Sequence, residues 1–132
     1  MSAHWEVTTE LPMKLPSMAN LRLHWAAKAK MLKAQRSVTG LALRMSARAW
    51  LTHWKVMAPN EALMVHVTLT RVGPRDLDDD NLASAFKAIR DEVAAFVGLD
   101  DGSKRFVWNY RQERGLYAVR IKLEVERNRE AA

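Results

Sequence analysis

The sequence contains no cysteine, and its 132 residues include only four prolines and five glycines. Without cysteine, disulfide staples, thiolate nucleophiles and cysteine-ligated zinc are excluded. Stability must therefore come from a packed core. The hydrophobic content of 48% supplies one and argues against disorder. A chain of this length forms one domain and buries roughly two-thirds of its unfolded surface. No apolar run approaches the ~18 residues of a membrane helix, and no signal peptide is visible. The expectation is a cytoplasmic chain with no membrane partner and no organic cofactor. Internal repeats and low-complexity segments are absent. Acids are the scarcer charge, 15 Asp+Glu against 21 Lys+Arg, giving a formal net charge of +6. That balance favours an anionic partner, nucleic acid before membrane.

The scarce acids are concentrated. Asp76, Asp78, Asp79 and Asp80 fall within five positions, and Asp100 and Asp101 follow after one helical stretch. Like charges this close raise one another's pKa and disfavour ionisation. A hard cation such as Mg²⁺, which takes carboxylate oxygens, reverses that cost. Asp79 or Asp80 could instead cap the following helix by accepting from its first backbone N–H groups, and the helix dipole could accommodate a second acid. Capping does not account for four.

The stretch after the cluster has two stripes. Leu82, Phe86, Ile89, Val93 and Phe96 or Val97 recur at helical spacing and predict a core-facing helix from Asp80 to Val97. Asp80, Ser84, Lys87 and Asp91 follow the same spacing about 200° around it, opposite the core. A lysine on that face could hold a phosphate or stabilise a leaving oxyanion. It could equally be a solvated face with a Lys87–Asp91 pair.

The motif Asp78-x-Asp80-Asn81-Leu82, then Lys87 and Asp91, Gly98 and Asp100-Asp101, resembles the RusA-type Holliday junction resolvases over about a quarter of the chain. Pro16-Ser17 and Asn20, ahead of a basic segment, extend the resemblance more loosely upstream. The resemblance implies a phage- or prophage-associated homodimeric endonuclease of DNA recombination and repair. It would use Mg²⁺, with Mn²⁺ as a substitute, to resolve branched DNA by paired nicks. It makes Asp78, Asp80 and Asp101 the catalytic, metal-binding carboxylates, with Asp100 beside them and Lys87 as the catalytic lysine. Two features depart from the pattern. Ser84 stands where the family commonly has its lysine, and Asp76 and Asp79 are extra acids. The alternative is a non-catalytic basic DNA-binding dimer whose acids are a helix cap or a structural ion site. A straight helix from Asp80 to Val97 would span roughly 27 Å, too far for Asp101 to join Asp80 in one chain; a kinked or shorter helix, or a loop that folds back, would instead allow a site within one chain. A two-fold dimer could complete the site with Asp101 of the second copy.

The remaining pattern predicts a strand over residues 4–10 and irregular chain through Pro12 and Pro16. A helix is predicted from Leu21 to about Trp54, with Gly40 marking a break, and Trp50 and Trp54 as packing residues. Arg22, Lys28, Lys30, Lys33 and Arg36 around this helix, with Arg75 beside the acids, are the candidate DNA contacts. Leu63 to Thr70 alternates as a half-buried strand that delivers the chain through Gly73-Pro74 into the acid cluster. His66, on its less apolar face, reads as packed or solvated. Phe106, Trp108 and Tyr110, then Tyr117 to Val125, predict two final strands forming a hairpin, with a polar tail from Arg127. The order β-α-β-α-β-β implies an α+β single domain, a mixed sheet of about four strands with helices packed on it, and a two-fold dimer.

Overall fold

The structure, a computed structural model, describes residues 5–18 and 24–128. Arg22 and Asn20 lie outside them, as do His4 at the start of the first expected strand and the tail after residue 128.

Alternating apolar residues build four strands, β1 (Trp5–Leu11), β2 (Leu63–Gly73), β3 (Phe106–Arg114) and β4 (Ala118–Arg127). They form one mixed sheet in the order β1-β4-β2-β3. β4 is antiparallel to both of its neighbours, and β3 is parallel to β2. So β1, β2 and β3 all run one way and end at the same edge of the sheet. The helices α1 (Trp25–Ser46) and α2 (Arg48–Met57) connect β1 to β2. The helices α3 (Asp79–Ala85) and α4 (Lys87–Val97) connect β2 to β3. The α+β domain therefore has the expected element order.

The helices bury Val65, Val67 and Leu69 of β2, Val119, Ile121, Leu123 and Val125 of β4, and Phe86, Ile89 and Val93 of α3–α4. Trp50 and Trp54 are core residues, stacked at 6.2 Å, with Trp5 at 5.5 Å from Trp50. Trp54 Nε1 donates to Val97 O at 3.1 Å, tying α2 to the end of α4. The opposite face of the sheet carries charge. There Arg120 reaches Glu113 and Glu10, and Lys122 reaches Glu6 and Glu124.

Three expectations are corrected. The last two strands are not a hairpin, because β4 enters between β1 and β2. Its inward residues Val119, Ile121, Leu123 and Val125 are wholly buried. β3, with exposed Asn109, Arg111 and Glu113, takes the edge. The link crosses the end of β2, where Gly115 N donates to Gly73 O and a Cβ on Gly115 would lie 3.1 Å from Val72.

Gly40 does not break the first helix. It lies buried inside α1, where a Cβ would overlap the Glu92 carboxylate. The break falls at Ala47 (φ −119°, ψ 15°).

The helix expected from Asp80 to Val97 is also broken. Phe86 (φ −87°, ψ 0°) tightens the last turn of α3, and its ring, wholly buried, packs 5.9 Å from Tyr110. Neither break contains Pro or Gly, and Ala47 and Phe86 are both wholly buried.

Candidate functional site

β2 leaves the sheet at its carboxyl edge, the edge where open sheets with parallel strands place their binding sites. Arg71, 6% exposed, shapes the exit. Its Nε donates to Leu15 O at 2.8 Å and its Nη1 to Arg75 O at 2.7 Å, joining the segment after β1 to the acid loop. Gly73 leaves room for the guanidinium, whose Nη1 lies 3.2 Å from where a Cβ would stand. β3 fixes the next residues. Gln112 both donates to Leu77 O and accepts from Leu77 N, and Arg114 pairs with Asp76 at 3.8 Å. The chain is therefore gripped on both sides of its turn into α3.

Asp78 is the cap of α3. Its Oδ1 accepts from Asn81 N at 2.9 Å, which accounts for one acid of the cluster. Asp79 and Asp80 occupy the exposed first turn, where the helix dipole favours negative charge. Neither has an ion pair among the described residues.

Asp100 and Asp101 lie elsewhere. Asp101 is held at the amino-terminal part of β3, where Trp108 Nε1 and Arg90 Nη2 both donate to its carbonyl at 3.1 Å. Arg90 Nε lies 3.7 Å from the Asp101 carboxylate. Arg90 also donates to Tyr110 Oη at 3.0 Å and stacks over Trp108 at 4.5 Å. Trp108 and Gln112, which anchor the two acidic segments, are four residues apart on one face of β3, about 13 Å at ~3.3 Å per residue. One chain does not bring Asp78 and Asp80 together with Asp101. Among the described residues no three Asp, Glu or His side chains are placed to hold a metal ion.

The basic residues separate into groups. Lys28 and Arg36 of α1 meet Ser84, Lys87 and Asp91 in a groove of ≈ 350 Å³, floored by Met18, Leu32 and Ala88. The stripe Ser84, Lys87, Asp91 thus survives the break at Phe86 but borders α1 instead of open solvent. Among the described residues, no ion pair engages Lys28, Arg36 or Lys87. Lys33 shares a second depression with Arg36, Arg44 and Glu92. Lys30 and Arg75 are exposed and border neither. His66 lies on the open sheet face, 3.3 Å from Glu126.

Sequence reasoning missed Arg71, Arg90 and Gln112. The alternation from Phe106 through Trp108 and Tyr110 puts Gln112 on the helix side of β3. For Arg71 and Arg90 no comparable signal exists, since their partners are backbone carbonyls and residues distant in sequence.

As a donor set, the acid loop suits a hard cation. It offers carboxylate oxygens at one exposed turn, and Mg²⁺ is commonly held by one or two carboxylates together with substrate phosphates. Asp78 keeps Oδ2 after capping, and Asp80 keeps both oxygens. Two carboxylates of this loop fit that requirement. Among known proteins, no family description matches the chain and no curated protein is a significant match.

Proposed function

We propose that this protein is a Mg²⁺-dependent, structure-specific endonuclease that resolves branched DNA, acting as a homodimer that makes two symmetric nicks. The observation that supports this reading is the continuity of the acid loop with the basic groove. Asp80 and Ser84 share one face of α3, and Ser84 and Lys87 line the groove with Lys28 and Arg36. A phosphodiesterase needs this adjacency, with acids at the scissile phosphate and cations along the flanking backbone.

In this reading Asp78 and Asp80 would hold the ion, which would supply charge neutralisation at the phosphate and orientation of an attacking water. Lys87 meets the phosphate or its leaving oxygen, and Lys28 and Arg36 hold the strand in register. Asp101, held by Arg90 at the amino-terminal part of β3, is in this reading contributed by a second copy.

A second reading is favoured by the capping bond from Asn81 N to Asp78 Oδ1: a DNA-binding protein without catalysis, its acids structural. Asp80→Asn separates the two, because Asp80 is not the capping residue. Nicking of a synthetic four-way junction in Mg²⁺ should fall by orders of magnitude, with junction affinity in EDTA equal or higher. Wild-type protein that binds junctions but never nicks them leaves the structural reading. Loss of binding together with cleavage would show that Asp80 serves the fold.

A further inference from the structure

α1 carries two apolar faces. One is the core face, which includes Thr39, Gly40 and Leu43. The other points into solvent. Val38, Leu41 and Met45 are 45%, 53% and 77% exposed, Ala27 and Ala34 are exposed, and Met31 is half-buried. These six residues alternate spacings of four and three over most of the helix. That is the 3.5-residue repeat of a helix seam that takes a second helix as partner. A helix packed on one side needs no such second stripe.

We infer that this outer face of α1 is the docking surface for a second copy of the chain, joined as an antiparallel helix pair about a two-fold axis at Arg36. The register identifies the partner. Placing the axis there sets Ala27 against Met45, Ala34 against Val38 and Met31 against Leu41 of the other copy. Two of the three layers then pair a small residue with a larger one, and each layer recurs on both sides of the axis, as an isologous interface requires. The stripe is self-complementary about this axis. The exposed apolar surface of the stripe and its flanks comes to on the order of 1,000 Å² over two copies, at the lower bound of specific interfaces. The dimer is therefore one that forms and dissociates with concentration.

The flanks predict its salt response. α1 contains no acid, and the same axis puts Lys30 beside Arg44 of the second copy, twice. That repulsion is exposed and screened by salt, so the dimer tightens as ionic strength rises. The Lys28 residues of the two copies lie about 24 Å apart along the helix axis, eight residues on either side of it at ~1.5 Å each. The inference stands on the packing of α1 alone and does not depend on nuclease activity.

Sedimentation of the full chain over a concentration series tests it. Wild type should pass from monomer to dimer, more readily at high salt. Leu41→Glu should remain monomeric with unchanged circular dichroism, because its side chain is outside the core. Lys30→Glu replaces two repulsive contacts with two ion pairs and should tighten the dimer about tenfold. Adding Arg44→Glu should undo that gain. Wild type that stays monomeric at every concentration, whether or not it adsorbs to anionic phospholipid vesicles, overturns the inference. So does a dimer indifferent to Leu41→Glu, or one weakened by Lys30→Glu.

Discussion

Replacing Lys28, Arg36 and Lys87 together with alanine tests whether the groove between α1 and α4 follows a DNA backbone. All three border the same ≈ 350 Å³ groove and lack ion pairs among the described residues, so each is free to neutralise a phosphate. Each phosphate contact contributes about 0.9 to the slope of log affinity against log salt on duplex DNA. Losing three should flatten the slope by about 2.7, so that affinity falls about 40-fold less between roughly 50 and 200 mM salt. The assay is fluorescence anisotropy of a labelled junction without divalent cations. The control is a triple variant of Arg48, Lys55 and Lys104, all exposed and outside the groove. It removes the same charge elsewhere. Long-range attraction alone would lower affinity in both variants alike. Equal flattening by the control, or an unchanged slope in the groove variant, would refute the assignment of these residues to a DNA surface.

Other outcomes follow from the same geometry. Asp80→Asn and Asp101→Asn homodimers should each be inactive if both residues serve the chemistry. Refolding the two together should restore nicking of a single strand, because one shared site of the heterodimer then carries both changes and the other none; no recovery, with heterodimers confirmed, would mean the acids of one chain act together. Arg71→Met removes two charge-assisted hydrogen bonds, to Leu15 O and Arg75 O, each worth about 1.5–3 kcal/mol. Relief of the buried charge offsets part of this, so urea unfolding should show a net loss of about 2–4 kcal/mol; a change below about 1 kcal/mol would show that the guanidinium secures neither segment. On the open sheet face, the hydrogen bond from Arg120 holds the Glu113 carboxyl below its usual range. Its stabilising effect is complete above the ordinary carboxylate pKa and is lost as pH falls through the depressed value. Arg120→Gln should therefore narrow the stability difference between about pH 6 and about pH 3, and an identical pH profile in the variant would contradict this.

Much of the fold was legible from residue patterns alone. β4 was the clearest strand because Val119, Ile121, Leu123 and Val125 alternate with charge, and the core stripe from Leu82 to Val97 was correct despite the break at Phe86. A period-2 pattern states which face of a strand is buried, but it does not state which neighbours bury it. That is why the sequence suggested a β3–β4 hairpin while β4 in fact enters between β1 and β2. The breaks at Ala47 and Phe86 carry no Pro or Gly, so no local residue announces them; both residues are wholly buried. Gly40, the residue that looked like a breaker, lies buried inside α1 beside Glu92.

The ingredients of the candidate site are legible in the residues alone: a run of aspartates at a strand end, a lysine on the helix that follows, and an excess of basic charge. Backbone-local rules suffice for these, since composition sets net charge and spacing sets the helix face. What lies beside what came from the folded chain. It gave Asp78 the capping bond and drew Lys87 to Lys28 and Arg36 across two helices. It also held Asp101 at the other part of β3 through Arg90, Trp108 and Tyr110. Those distances depend on how the crossovers from β1 and β2 return to one sheet, and such long-range contacts leave no periodic trace in the chain.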